Sequence, residues 1–258
     1  MERNQEHDQR TPAGVEIELT LIIPTRNERE NMPLLLPRIK ASLGDLSYEV
    51  LIVDDSEDGT LAAAASAAEA SGLTLRGIHR EPGSREGLLG GAVVAGIAES
   101  RGAHICVLDA DLQHPPELVR TMLARAQEED ADVVIASRYV RGGSDEGMSS
   151  GLRRGISILA KYFAKALFFP RLAGVSDPLS GYFIVRRSIL TGVTLRPRGF
   201  KILLEILVRS NARRVREVPL RFARRAEGDS KATLKQGMDF GRHAASLFWD
   251  ARVRRLLP

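Results

Sequence analysis

Five short β-rich apolar runs, ending near Pro24 (LTLIIP), Val53 (YEVLIV), His79 (LTLRGIH), Leu108 (HICVL) and Ala136 (DVVIA), alternate with helix-capable stretches through the first half of this chain. Between them, Glu28 to Ser42 carries leucines at helical spacing and Thr60 to Ser71 is rich in alanine. Gly90 to Ser100 is small and apolar, and Pro116 to Glu129 opens with proline at a first-turn position. This alternation predicts βαβ units, hence an α/β fold with a mostly parallel central sheet flanked by helices. Such sheets bind ligands beyond the carboxyl ends of their strands, and there this sequence changes from apolar to polar. After Arg138 come a glycine-rich loop (RGGSDEG), a long helical stretch, a DPLSG turn, a strand (YFIVRR), a helix (ILLEILVRS) and a last strand (RRVREVPLRF).

Composition narrows the class. With 258 residues, 43% hydrophobic and 27% charged, the chain can bury a full core, which excludes disordered and collagen-like classes. Its longest stretch free of Asp, Glu, Lys and Arg is Gly87 to Ala98, short of the ~20 apolar residues a spanning helix needs. Residues 1–16 are polar and mixed in charge, without the apolar stretch of a secretory signal, so a flexible start and no export are expected. The single cysteine, Cys106, lies in the apolar run ICVL and is expected to be a buried, inert thiol in a reducing compartment. The net charge of +4 conceals a split: residues 1–137 hold 12 basic against 24 acidic side chains, residues 138–258 hold 25 against 9. An acidic half suits a divalent cation, and a basic half suits phosphate, nucleic acid or an anionic membrane. Two solvated faces of opposite sign account for the split equally well.

The sharpest local signal is LDADLQH, Leu108 to His114. In an extended chain Asp109 and Asp111 share a face while Ala110 turns away. Two converging carboxylates repel unless a cation lies between them, and hard oxygen ligands, with Gln113 adding another, favour Mg²⁺ or Mn²⁺ over zinc. His114 lacks zinc-like spacing and is read as a helix-entry residue. IIPTRNERE and VDDSEDGT end the first two strands in polar residues. Asp54, Asp55 and Asp58 can meet sugar hydroxyls, a base edge or water, while Asn27, Ser56 and Asp58 can equally cap helices. Three polar strand ends facing one crevice favour a nucleotide site. No GxxxxGK[ST] phosphate loop occurs, and GLLGGAVVAG is read chiefly as small residues for close packing.

In the basic half, Ser149 to Phe169 reads as an amphipathic helix. Arg154, Lys161 and Lys165 form one stripe, and Leu159, Phe163 and Leu167 lie opposite. Arg153 and Ser157, spaced i,i+4, share a side that can hold a phosphate. The alternative is a core-packing helix with a solvated basic face, and Phe168-Phe169-Pro170 can dip into a lipid interface. A second basic cluster, Arg221 to Thr233, contains Arg225 and Lys231, and the tail mixes Phe248 and Trp249 with arginines.

The motifs PTRNERENMP, VDDSEDGT, LGGAVVAG, LDADLQHPPE, SRY, RRGIS, DPLSGYFIVRR, GFKILLE and RAEGDSK occur in this order over roughly residues 18–235. Together they resemble the polyprenyl-phosphate (dolichyl-phosphate) mannosyltransferase group of family 2 glycosyltransferases, which have a GT-A fold. The resemblance implies that Pro24, Thr25, Arg26, Glu28, Val53 and Asp55, with Asp109 and Ala110, hold the nucleotide sugar, and that Asp109, Asp111 and Gln113 bind Mg²⁺ or Mn²⁺. It implies that Arg138, Arg153, Ser157, Arg225 and Lys231 receive the acceptor phosphate, with Asp111, Arg138 and Arg225 as catalytic residues. Asp177 and the segment Gly199 to Glu205 then line the sugar and acceptor region. Many relatives have a tyrosine where Arg26 stands, and the acidic turn is one residue shorter than the commoner VDDxSxDGT.

The implied reaction is inverting transfer of a hexose, mannose from GDP-mannose first, onto a polyprenyl monophosphate. A phosphate monoester is already anionic near pH 7, so positioning and charge neutralisation are the main demands. The alternatives are a UDP-glucose or other UDP-sugar donor, a sugar nucleotidyltransferase, or a basic lipid- or nucleic-acid-binding module. The expected layout is a flexible segment 1–16, a GT-A domain 17–235 and a basic amphipathic helix 236–258 near a membrane. The expected partners are the donor, the lipid acceptor and the cytoplasmic face of a membrane, without nucleic acid.

Overall fold

The computed structural model describes residues 16–146, 151–222 and 234–256. Every strand expected from the sequence is present: β1 (Leu19–Thr25), β2 (Tyr48–Asp54), β3 (Leu75–His79), β4 (His104–Val107), β5 (Val133–Ser137), β6 (Phe183–Arg186) and β7 (Val215–Pro219). The helices are α1 (Met32–Leu43), α2 (Thr60–Ser71), α3 (Leu88–Glu99), α4 (Leu118–Glu128), α5 (Gly151–Leu167), α6 (Ile202–Arg209) and α7 (Leu234–Leu256). The sheet order is β3-β2-β1-β4-β6-β5-β7. All neighbours are parallel except β6, which is antiparallel to β4 and to β5. The chain thus has the mixed α/β GT-A architecture, with parallel strands predominating.

Two apolar layers sandwich the sheet. One face packs Leu21, Ile23, Val50, Ile52 and Cys106 beneath α1, α2 and α4. The other packs Ile22, Leu51, Val53, Ile105 and Val107 against α3 and α6. Strand residues alternate between these layers, as the pleat requires, and both faces are apolar because helices cover both. Cys106 is fully buried and desolvation pushes its thiol far up, so it stays neutral. The glycines of GLLGGAVVAG allow α3 to approach closely. A Cβ on Gly96 would lie 2.7 Å from Ile22, and one on Gly90 would lie 2.8 Å from the Gly199 carbonyl. The Gly90 amide donates to that carbonyl (2.8 Å), tying α3 to the segment ahead of α6.

The C-terminal helix belongs to the same core. Ala244 and Leu247 are buried, and Phe240, Phe248 and Ala251 pack beside Leu247 on the second layer. Arg209 of α6 links the two helices, donating to Glu205 within α6 and to Asp250 of α7. Among the described residues no helix is long and apolar enough to cross a membrane.

The basic stripe of the amphipathic helix is not solvated as a whole: Arg154 is half exposed, Lys165 is partly buried and Lys161 is buried. On α5, Lys161 and Ala164 face inward, whereas Leu159 is 72% and Tyr162 60% exposed, with Ile156 and Phe163 also outside. Beyond the helix Phe168 is buried against Phe248 at 6.3 Å, and Phe169 is 74% exposed. Lys165 points back to donate to the Ala173 and Val175 carbonyls (3.2 and 2.8 Å) that close the next turn. Helical periodicity does not state which members of a stripe the rest of the molecule covers: Leu167 packs on the second layer while Leu159, on the same stripe, is exposed.

Candidate active site

The order of connections reverses at β1, whose neighbours β2 and β4 follow it in sequence on opposite sides, leaving a crevice at their carboxyl ends. Register brings the expected nucleotide residues together there. Pro24 pairs with Val53 and Thr25 with Asp54, and the Asp55 amide donates to the Thr25 carbonyl (2.9 Å).

The two neighbouring aspartates have different surroundings. Asp54 accepts from Thr25 Oγ1 (2.6 Å) and Ser56 Oγ (2.5 Å), and His79 Nδ1 lies 3.1 Å away. It acts as an internal tie between β1, β2 and β3. Asp55 is gripped by both ends of the buried Arg80 guanidinium, through Nε (2.8 Å) and Nη2 (2.6 Å). Arg80 also donates to the carbonyls of Glu86 (3.3 Å) and Leu88 (2.9 Å), so the loop entering α3 folds around it. Gly91 is required at this point, since a Cβ there would fall 1.8 Å from the Glu86 oxygen and 2.8 Å from Arg80 Nη1. Arg80 lies outside the quoted motifs and was missed by sequence reasoning. Its one signal was a lone arginine just past the end of an apolar strand.

Of the remaining turn residues, Asp58 lies one residue ahead of Gly59, the N-cap of α2, and accepts from the Thr60 amide (3.0 Å) and hydroxyl (2.5 Å). Ser56 instead accepts from the Asn27 amide (2.8 Å), and Asn27 turns through a left-handed φ of 56°. Glu28 accepts from Asn31 Nδ2 (2.6 Å), while its own amide donates to Thr60 Oγ1 (3.0 Å). Arg26 is exposed beside it.

The carboxylate pair lies beyond the extended chain: β4 stops at Val107, and Asp109 and Asp111 occupy the turn that follows. Leu108, Ala110 and Leu112 bury themselves in the first apolar layer, which pins the turn from behind. Leu112 adopts φ 63°, a conformation costing a non-glycine residue roughly 1–2 kcal/mol, and its burial holds it there. Asp111 is buried and its Oδ1 accepts from the Gln113 amide (3.1 Å), whereas Asp109 is partly exposed. His114 does more than enter a helix. Its Nδ1 accepts from the Asp109 amide (2.9 Å), its ring stacks on Tyr182 (4.9 Å), and the Phe222 ring meets it edge-on (5.8 Å).

No cluster of three or more His, Cys, Asp or Glu able to hold a metal occurs among the described residues. Two aspartates at a crevice mouth therefore do not form a closed protein cage. That donor set fits Mg²⁺ or Mn²⁺, which take one or two carboxylates and complete their shell with substrate phosphate and water.

Arg138 stands just past β5. It is almost wholly buried and donates to Asp177 through Nε (2.8 Å) and Nη2 (2.9 Å). Burial alone would weaken the protonated guanidinium, but the hydrogen bonds and charge of Asp177 outweigh it and push the pKa up. Asp177 is itself fixed by β7, where Glu217 accepts from the Ser176 and Asp177 amides (2.8 and 3.0 Å). Phe222 joins the two sides, since the ring that meets His114 also lies 5.7 Å from the Arg138 guanidinium.

Lys201, in the segment expected to line the acceptor region, reaches back to the Leu179 carbonyl (2.8 Å). Burial first, then the charge of Arg138, bring its amine down to about 8, against the pull of Asp177 and Asp109. The unfolded chain keeps this proton to about 10.5. Between pH 8 and 10.5 the unfolded state thus binds more protons, so this group's destabilising contribution is complete below pH 8 and fades as pH rises to 10.5. Melting curves across that range should show Lys201→Met gaining most over the wild type near pH 7.5 and least near pH 10.5. A constant difference would show that the amine does not titrate in this window.

Arg225 and Lys231 lie outside the described residues, and Arg153 lies on α5 with its side chain outside them. Ser157 Oγ stands 3.4 Å from the Tyr139 hydroxyl.

Comparison with known proteins adds the family. The model of glycosyl transferase family 2 matches residues 20–193. The chain belongs to this family. Among curated proteins, this family 2 chain is 37% identical to a dolichol-phosphate mannosyltransferase from Pyrococcus furiosus, over 93% of its own length and 67% of that protein's. It is 36% identical to one from Mycosarcoma maydis, over 82% and 72%. Among solved structures it resembles glucosyl-3-phosphoglycerate synthase from Mycobacterium tuberculosis. The complex with Mn²⁺, UDP and glucosyl-3-phosphoglycerate superposes with a TM-score of 0.65 at 21% identity, over 91% of this chain and 80% of that one. The complex with Mn²⁺, UDP-glucose and phosphoglyceric acid gives 0.65 at 22%, over 91% and 79%. The expected divalent cation agrees with the Mn²⁺ in those complexes.

The specific reading of inverting mannose transfer from GDP-mannose to a polyprenyl phosphate is corrected by these structures. They share the fold over nine-tenths of this chain and hold UDP or UDP-glucose with a small phosphorylated acceptor. The shared fold does not single out GDP-mannose and a lipid phosphate. The lipid acceptor and the membrane surface as partners, and the displacement argument built on a phosphate nucleophile, go with it.

Proposed function

We propose that this family 2 glycosyltransferase moves a hexose from a UDP-sugar, UDP-glucose first, to a small acceptor that carries a phosphate, with Mn²⁺ or Mg²⁺ bound. The observation that carries the reading is the likeness, over 91% of the chain, to the complex holding Mn²⁺, UDP-glucose and phosphoglyceric acid. Membership of a glycosyltransferase family favours sugar transfer over nucleotidyl transfer or a purely binding role.

In this reading the bond between the anomeric carbon and the donor diphosphate breaks, one forms to the oxygen of an acceptor hydroxyl, and the hydroxyl proton passes to the departing diphosphate or to water. The ends of β1 and β2 receive the nucleoside, with Asp55 held in place by Arg80. Asp109 and Asp111 would hold the cation, whose chemistry is to neutralise charge on the leaving diphosphate. Arg138 and Lys201 would add positive charge beside them, with the Phe222 ring between Arg138 and His114.

The test is a donor panel, UDP-glucose, other UDP-sugars and GDP-mannose, against 3-phosphoglycerate, glycerate and a short polyprenyl phosphate, with and without Mn²⁺. Product is expected from a UDP-sugar with phosphoglycerate and Mn²⁺, and not from glycerate. Glycolipid formed from GDP-mannose and the polyprenyl phosphate, with phosphoglycerate inert, would overturn the proposal.

A further inference from the structure

We propose that Glu205 is a positioning residue: from behind the crevice it fixes the turn Arg196–Lys201, and through that turn the Lys201 ammonium beside the aspartate pair. The inference rests on the contribution of Lys201 to the transfer site proposed above and adds the group that seats it.

The resemblance puts Glu205 among the residues lining the acceptor region, but in the fold its carboxylate is fully buried and directed at α7. Its Oε1 accepts from Arg209 Nε (2.8 Å) and from the Arg196 backbone amide. Its Oε2 has no hydrogen-bond partner, and the buried His243 of α7 stops 3.7 Å short of it. A buried carboxylate with one oxygen unmatched is destabilising, and an apolar side chain of similar volume would pack at that place at less cost. The backbone amide it grips gives the acid a role that stability does not. Arg209, the other donor, is itself held by Asp250 of α7 (2.7 Å), so the grip is braced from the C-terminal helix.

The gripped stretch needs fixing. From Thr191 to Lys201 the chain forms neither strand nor helix, and Arg196 and Arg198 are exposed. It is tied to α6 by the Arg196 amide, and to α3 by the Gly199 carbonyl, which accepts from the Gly90 amide (2.8 Å). A Cβ on Gly90 would fall 2.8 Å from Pro197, so α3 already presses on the turn from the side away from Glu205. At its end Lys201 Nζ donates to the Leu179 carbonyl (2.8 Å). Two residues beyond Leu179, a Cβ on Gly181 would lie 3.3 Å from Asp109 Oδ2, so this last tie ends beside the first aspartate. A loss at Glu205 is therefore passed along the turn to Lys201.

The test follows the Lys201 amine by NMR in metal-free, ¹³C-lysine-labelled protein, together with transfer by whichever donor and acceptor the panel above selects. The charges that act on Lys201 are those of Arg138, Asp177 and Asp109, so a change at Glu205 reaches the amine through position. The wild-type amine should titrate at about 8, and in Glu205→Ala it should move up toward 10.5 as the ammonium leaves its buried seat. Transfer should fall about tenfold in the same variant, yet Glu205→Ala added to Lys201→Met should cost no more than about twofold further, since the group it seats is already gone. Glu205→Gln keeps an oxygen for the Arg196 amide and should restore both the titration and, within about threefold, the rate. Arg196→Pro removes the amide hydrogen while leaving the carboxylate paired with Arg209, and it repeats the test if the alanine protein does not fold. An amine still titrating near 8 in folded Glu205→Ala or Arg196→Pro overturns the assignment, as does full additivity with Lys201→Met. If the amine moves while no UDP-sugar supports transfer, Glu205 keeps its role and the donor reading falls.

Discussion

Replacing Asp177 by alanine should destabilise the folded protein by about 3–5 kcal/mol, because it strands the Arg138 guanidinium in the interior. Asp177 has no exposed side-chain area and accepts from Arg138 Nε and Nη2, and from the Arg138 amide at 3.3 Å. For a chain of this size that loss lowers Tm on the order of 10 °C. The double variant Arg138→Met with Asp177→Leu separates the cause. A buried pair exchanged for apolar groups of similar volume is often close to neutral, so most of the stability should return while transfer stays impaired. If Asp177→Ala alone melts within a degree or two of the wild type, the pair is not the desolvated tie its geometry indicates.

Asp111→Asn should leave the fold intact and lower transfer by at least about 10²-fold, since several kcal/mol of charge stabilisation depend on the cation and each 1.36 kcal/mol is a factor of ten. The amide keeps the carboxylate's shape, and its oxygen can still accept from the Gln113 amide, so the turn at Leu112 persists. Charge is the property removed. The Mn²⁺ concentration for half-maximal rate should rise in parallel, and the melting curve without metal should be unchanged. Near-normal turnover at the wild-type Mn²⁺ requirement would remove Asp111 from the cation site.

The two experiments address different sides of one crevice, and Phe222 is the contact through which those sides meet. His114 belongs with the aspartates as a positioning residue. By accepting from the Asp109 amide it fixes the turn, and by stacking on Tyr182 it anchors that turn to the approach to β6.

Strand and helix alternation was legible because both sheet faces are covered, so each strand reads as a continuous apolar run and each intervening segment as helix. Thr60 to Ser71 is helical as expected to the residue, and β3 ends at His79 as expected. The packing reading of the glycines ahead of α3 agrees with how closely Gly90 and Gly96 approach their neighbours, whereas the extended-chain reading of Asp109 and Asp111 gives way to a turn beyond β4. Arg80 and the orientation of α5 were not legible. Arg80 acquires its meaning from Asp55, 25 positions earlier, through a pair that exists only once β2 and β3 lie side by side. The facing of α5 depends on Asp145, Tyr139 and the carbonyls of Ala173 and Val175, in the segments flanking the helix, whose paths helical periodicity does not describe.

The sequence by itself determined the layered α/β architecture, the polar strand ends and the family, because periodicity and local motif chemistry are properties of neighbouring residues. The tertiary structure alone decided which charges find a carboxylate among the described residues. Arg138, Arg154 and Lys161 look alike along the chain, and only folding gives Asp177 to the first, Asp145 to the second and no carboxylate among the described residues to the third. Charge pairing is a matter of distance in space, and the low dielectric of the interior makes that distance decide how strongly each pair ties the fold.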